Sequence, residues 1–329
     1  MNTFDVLRSN ILSPIVLAFL LGVVAKLIKS ESSLPKDLYS TLSIYLLLAL
    51  GLKGGVELSQ SSLSAIALPG LATLLLGCIT PISAYLLLRK FGRFGPIDAA
   101  GMAAHYGSVS AVTFIAATQF AATMGSPAEG FMPTLLTLLE SPGIHIALAI
   151  GALQRAKFAK QAGIVTKSKA AIFHEIFTAR SMVLLVGGLL IGLLMGAKSY
   201  EPIKPFFETG FKGALVLFLL EMGTIAGSRL SDLKTVGGRI VTFGLLLPVL
   251  HGTLGVLFGH WSGLSVGGTT VLGAMAASAS YIAAPPAVRM TLPEANPTYY
   301  LTASLAITFP FNLIAGIPLY HGLSLWLHR

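Results

Sequence analysis

Ser278-Ala279-Ser280-Tyr281-Ile282-Ala283-Ala284-Pro285-Pro286 lies inside an apolar stretch, 265–292, and its reading decides the fold. A proline in a helix interior removes a backbone hydrogen bond and clashes with the preceding turn, whereas the first positions of a helix accept it. Two prolines in a row therefore predict two half-helices, the second beginning near Ala284. A related stretch occurs earlier: Met102-Ala103-Ala104-His105-Tyr106-Gly107-Ser108-Val109-Ser110-Ala111 aligns with Met275-Ala276-Ala277-Ser278-Ala279-Ser280-Tyr281-Ile282-Ala283-Ala284. By that match the earlier segment breaks near Gly107, and its second half starts at Ser108–Ser110. The alternatives are chance likeness of two Ala/Ser-rich helices and kinks that only serve close packing.

Composition sets the solvent. Hydrophobic residues are 54% of the 329 before the 35 glycines are counted, where a soluble domain reaches roughly 45–50% with glycine included. Charged residues are 11% and the mean hydropathy is +0.80. So few charges cannot cover a water-facing surface, and the apolar stretches are continuous rather than alternating, which favours membrane helices over a barrel. The net charge of +9 does not point to nucleic acid, because the Lys and Arg residues sit between apolar segments. Cys78 is the single cysteine and reads as a small buried apolar residue. The N-terminal apolar stretch has Lys26 and Lys29 after it and no small-x-small cleavage site, so it reads as a retained first span.

Ten spans are predicted, at 11–28, 37–54, 64–89, 96–122, 130–153, 176–197, 204–228, 236–260, 265–292 and 298–327. Numbering the connections alternately to two sides puts 15 of the 22 basic residues on one of them, among them Lys26, Arg89, Arg93, Arg155, Lys157, Lys160, Lys167, Lys169, Arg229 and Arg239. That side is expected in the cytoplasm, with both termini outside a cytoplasmic (inner) membrane. The chain divides into a first half of five spans (1–153), a basic cytoplasmic loop (154–174) and a second half of five spans (175–329). An odd number per half forces the second to insert inverted, the design of secondary transporters. The expected fold is an all-α polytopic membrane protein of ten transmembrane helices in a 5+5 inverted repeat, with helices 4 and 9 broken.

The chemistry is expected at the breaks. A half-helix N-terminus exposes unpaired N–H groups and carries roughly +0.5 charge. Two of them meeting near the membrane midplane make a cradle for a small anion. Ser108, Ser110, Ser278 and Ser280 add hydroxyls, and unwound carbonyls suit a cation such as sodium. Ionisable groups far from span ends are costly, at least about 2.5–3.5 kcal/mol on insertion scales, and so mark candidate sites. Glu140 is the leading candidate as cation ligand or titrating group. Glu221 reads as a structural partner of Lys53 or Lys212. His105 is either a satisfied interior histidine or a ligand, and Asn312 either holds sodium or bonds a neighbouring helix. No nucleophile-elbow, zinc-protease or nucleotide-loop motif occurs, so no enzyme is expected.

Gly-Leu-Lys-Gly-Gly at 51–55, Tyr-Gly-Ser-Val-Ser-Ala-Val-Thr-Phe at 106–114, Ser-Ala-Ser-Tyr-Ile-Ala-Ala-Pro-Pro-Ala-Val-Arg at 278–289, Leu-Pro-Glu-Ala-Asn-Pro at 292–297 and Phe-Pro-Phe-Asn at 309–312 together resemble the sodium-dependent bicarbonate transporter family. The resemblance implies a fold like that of bile acid–sodium symporters, with helices 4 and 9 crossing at their breaks, sodium-coupled bicarbonate uptake and a homotrimer. It implies an anion pocket at Gly107, Ser108, Val109 and Ser110 with Ser280, Tyr281, Ile282 and Ala283, which Ser278 adjoins. Some members have Ser-Asp-Ile-Ser-Gly-Pro-Pro where this chain has Ser280-Tyr281-Ile282-Ala283-Ala284-Pro285-Pro286, so an acid and a hydroxyl are replaced. The loop between spans 5 and 6 is the region linked in the family to a cytoplasmic regulator of the nitrogen-regulatory PII type; it is shorter here than in the best-known members.

The expected function is secondary active transport by an elevator-type mechanism, with spans 3–5 and 8–10 as the moving core and spans 1, 2, 6 and 7 as scaffold. Sodium is the coupling ion, expected at His105, Glu140, Ser304, Thr308 and Asn312; no cofactor or other metal is expected. The partners expected are bicarbonate or a similar small anion, sodium and the lipid bilayer. The alternatives are a sodium/proton antiporter and a sodium symporter of another small organic anion.

Overall fold

The computed structural model of the chain describes residues 12–30, 34–60, 62–162, 180–281 and 283–329. These are helical almost throughout. The helices are α1 (Pro14–Leu27), α2 (Lys36–Gln60), α3 (Leu63–Lys90), α4 (Pro96–Tyr106), α5 (Ala111–Thr123), α6 (Met132–Ala162), α7 (Arg180–Tyr200), α8 (Gly210–Arg229), α9 (Leu233–Trp261), α10 (Val266–Ala276), α11 (Ala284–Thr291) and a long last helix, α12 (Pro297–Leu327). Helix starts follow one rule at the surface and in the interior. Ser13, Ser62 and Ser265 cap α1, α3 and α10 by accepting the N–H of Val16, Ala65 and Gly268, and Ser110 caps α5 through Thr113.

The helices are apolar on both faces. On α3 the buried side carries Ile66, Leu76, Ala84 and Leu88, while Leu68, Leu71, Leu75, Ile79, Ile82 and Leu86 stand exposed on the other. Leucines exposed at helical spacing are at home in hydrocarbon, not in water. Among the described residues six helices are long and apolar enough to cross a membrane: Asp37–Gln60, Leu63–Lys90, Met132–Arg155, Pro205–Asp232, Gly237–Trp261 and Pro297–Leu327. The other expected spans are shorter or interrupted. α1 has 14 residues and α7 an apolar run at Val186–Tyr200. Spans 4 and 9 are each two helices, α4 with α5 and α10 with α11, separated by unwound backbone.

One boundary differs from expectation. The fifth span, expected at 130–153, is matched at Met132–Arg155, but α6 itself continues to Ala162 into the expected 154–174 loop, because Arg155, Lys157 and Lys160 are good helix formers. The rest of the expected 154–174 loop, from 163, lies outside the described residues, as does Ile282. α12 winds more widely at Thr302–Thr308 and Asn312–Gly316, each a stretch of π-helix. On the face of the basic connections, Arg155 Nε donates to Glu294 at 2.8 Å and Arg239 Nη1 to Gly92 O at 3.1 Å.

Two helix pairs pack backbone to backbone. A Cβ on Gly22 of α1 would lie 2.0 Å from Leu220 O of α8, and one on Gly223 of α8 would lie 2.0 Å from Phe19 O of α1. α2 and α7 meet likewise, with Gly55 against Leu189 O at 2.0 Å and Gly192 against Leu52 O at 2.1 Å. Contacts this close need the missing side chain. Gly223→Leu is therefore expected to force α1 from α8 and destabilise the fold by more than the roughly 1–3 kcal/mol of ordinary overpacking. Thermal unfolding in detergent measures this, and an unchanged midpoint would contradict the packing.

Candidate functional site

Each break begins where helical bonding fails. α4 ends at Tyr106, and Gly107 follows because nothing larger fits: its Cβ would stand 2.6 Å from Pro81 Cβ, while one on Gly143 of α6 would meet Gly107 O at 1.5 Å. α11 starts at Ala284 with Pro285 and Pro286 in its first turn, where their missing N–H groups cost nothing.

The two breaks bond to each other. The Ser110 N–H donates to Ser278 Oγ at 2.8 Å, and the Ser280 N–H to His105 O at 2.8 Å. Ser110 Oγ accepts from Thr113 N–H at 3.2 Å and donates to Tyr281 Oη at 3.1 Å. Ser280 Oγ accepts from the Ala284 N–H at 3.3 Å, at the start of α11. Between the breaks lies a cavity of about 10 Å³ lined by Leu47, Val109, Ser110, Ala111, Glu140, Ser280, Tyr281 and Ala283. That volume is about one water molecule's. A four-heavy-atom anion needs the breaks to part.

The predicted anion residues divide. Val109, Ser110, Ser280, Tyr281 and Ala283 line the cavity. Gly107 packs on α3 and α6 instead, Ser108 Oγ donates to the Glu140 backbone O at 3.4 Å, and Ser278 holds Ser110 from behind. The predicted sodium residues divide also. Glu140 is 5% exposed and lines the cavity; His105, Ser304, Thr308 and Asn312 do not. Ser304 and Thr308 lie on the first π stretch of α12, and Asn312 opens the second. Ser304 Oγ donates to Tyr300 O at 2.7 Å, and Thr308 Oγ1 to Gly244 O at 2.7 Å while Tyr106 Oη bonds to it at 2.7 Å. Asn312 Nδ2 donates to Ala277 O at 2.9 Å, at the end of α10. His105 stacks on Tyr300 with centroids 4.4 Å apart, and its Nδ1 bonds to Gly101 O at 2.8 Å. With the proton on Nδ1, Nε2 is a buried acceptor with no hydrogen-bond partner among the described residues.

One predicted pairing is replaced. Glu221 was expected beside Lys53 or Lys212, but its Oε2 accepts the Leu34 N–H at 2.7 Å. A free backbone donor before α2 provides a partner at lower entropic cost than a long ammonium chain. Sequence reasoning did not find Leu47, which reaches the cavity from α2. Nor did it find the ring chain from Tyr281 through Phe309 to Phe19, with centroid spacings of 5.2 and 5.2 Å. The aromatic types were visible, but nothing in the sequence places Phe19 beside the second break.

The profile of the Na+-dependent bicarbonate transporter superfamily matches residues 14–324, both breaks included. The chain belongs to that superfamily. No curated protein matches it with significance. With the apolar helices, membership makes this a multi-pass membrane protein of a transporter family. Ser110 makes two of the bonds that join the breaks, one to Ser278 and one to Tyr281. Ser110→Ala removes a helix cap and a hydroxyl bond, an expected loss of about 2 kcal/mol, and Tyr281→Phe removes one bond for about 1 kcal/mol. Denaturant unfolding of the solubilised protein measures both; equal losses would contradict the double role of Ser110.

Proposed function

We propose that this protein is a secondary symporter that takes up bicarbonate with sodium by moving a core domain past a scaffold. The observation that carries the reading is the make-up of the cavity at the breaks. Seven of its eight lining residues come from the α4–α5 and α10–α11 segments and α6, and only Leu47 comes from the proposed scaffold. A core that slides takes nearly the whole site with it. α5 and α11 both begin at this cavity, so two positive helix ends face one small space without any Arg or Lys.

The helix pairings support the 5+5 inverted repeat. α1 packs on α8 and α2 on α7, and a two-fold axis exchanging the halves turns the first pair into the second. The same axis exchanges the two breaks, which bond reciprocally. Sodium is drawn to Glu140 at the cavity and to His105 Nε2, with Ser304, Thr308 and Asn312 on the widened turns of α12 as further oxygen donors. The cation offsets the buried carboxylate, and the Ser110–Tyr281 and Ser110–Ser278 bonds then give way to the anion. Tyr281, standing where some relatives have an acid, supplies a phenol in place of a second carboxylate. The basic face is the cytoplasmic one on this reading, and the assembly is a homotrimer in the inner membrane.

Labelled bicarbonate uptake into proteoliposomes is expected to need an inward sodium gradient. Uptake unaffected by replacing sodium with choline would contradict the coupling. The same assay with short carboxylates and other small oxyanions fixes the cargo, since two helix ends favour charge and size over identity. Proton-coupled sodium efflux without any anion would instead favour the antiporter built on Glu140.

A further inference from the structure

A second, larger cavity, of about 490 Å³, adjoins the first. Leu47 of α2 and Ala111 of α5 line the small one, and Leu50, Lys53 and Glu57 of α2 with Phe114, Ile115 and Thr118 of α5 line the large one. Successive turns of the same two helices thus wall first one space and then the other. At 1.5 Å per residue, Lys53 stands about 9 Å along α2 from Leu47. Ala49 and Phe114 are the lining residues nearest the breaks along their helices. The far end is formed by the 128–130 connection and the start of α8, on the face opposite the basic connections.

The lining carries charges of both signs. Besides Lys53 and Glu57 it includes Glu129, Glu208 and Lys212. Glu129 is committed to the N-terminus of α10, where its Oε1 accepts the Ser265 N–H at 2.6 Å. Two ammonium groups and three carboxylates thus share a space of ligand size. Lysine within a membrane helix is costly unless it faces water or a partner, and Lys53 is exposed to this cavity. Its direction is fixed by the glycines after it. A Cβ on Gly54 would stand 2.5 Å from Pro133 Cβ, and one on Gly55 2.0 Å from Leu189 O. α2 is clamped between α6 and α7 and cannot turn Lys53 away, which gives Gly51-Leu52-Lys53-Gly54-Gly55 a physical reading.

We propose that the large cavity is an antechamber for the transported anion, and that the Lys53 ammonium holds a small oxyanion there before it moves to the breaks. The inference rests on the transport reading above. With three carboxylates to two ammonium groups the chamber is net negative, so the oxyanion held at Lys53 enters together with sodium held at the carboxylates.

The experiment has two arms. In tracer uptake, Lys53→Gln is expected to raise the KM for bicarbonate about tenfold, as loss of a charge contact does, with the KM for sodium unchanged. Lys53→Arg restores it; an unchanged bicarbonate KM in Lys53→Gln overturns the proposal. The second arm reads the chamber without transport. Thr118→Cys, in a chain whose single cysteine is removed by Cys78→Ala, is treated from either side of the membrane with impermeant thiol reagents, one bearing a sulfonate and one a quaternary ammonium. Modification is expected from the face of the 128–130 connection. Adding Lys53→Gln is expected to slow the sulfonate reagent several-fold while leaving the cationic one. No modification from that face, or a sulfonate rate indifferent to Lys53, overturns the proposal. Wild-type protein that takes up no bicarbonate defeats the transport reading, and the labelling arm still decides whether Lys53 attracts oxyanions.

Discussion

Ser110 ties the two helix breaks of this protein together. Its N–H is held by Ser278 of the other break, its hydroxyl caps its own helix and reaches Tyr281, and the reciprocal bond runs from Ser280 to the carbonyl of His105. Unwound backbone in hydrocarbon survives only where its polar groups are satisfied. Here each break supplies a partner to the other. A change at one is therefore felt at the other, and two interrupted helices behave as one element.

That mutual satisfaction explains the small cavity, and on the proposed transport reading it is what must give way for the cavity to open. An anion offers oxygens to the N–H and hydroxyl donors that the opposing serines and Tyr281 now engage, so binding exchanges bonds within the protein for bonds to cargo. Around this element the packing is hard. Gly107 sits on Gly143, and Gly22, Gly55, Gly192 and Gly223 bring helix backbones together. Rigid pairs beside a single exchangeable contact set are what rigid-body alternation requires.

The breaks were legible in the sequence because their causes are local. Pro285 and Pro286 cannot sit in a helix interior, and Ser110 is a strong cap wherever it stands. The residues that complete the site were illegible because their partners are remote in sequence: Leu47 meets the breaks only through the packing of α2, and Glu221 takes the N–H of Leu34, 187 positions away. Hydropathy also ends a span where charge begins, while helical hydrogen bonding does not, so α6 runs past its expected end. The widened turns carrying Ser304, Thr308 and Asn312 had no signal at all, since wider winding depends on what packs against α12.

The account is tested most directly by a density map of the protein in sodium bicarbonate. It predicts density for an anion between Ser110 and Ser280, with the Ser110–Tyr281 bond opened and both helix starts turned toward it. A map that keeps the two breaks bonded to each other, with the anion bound elsewhere, would contradict it.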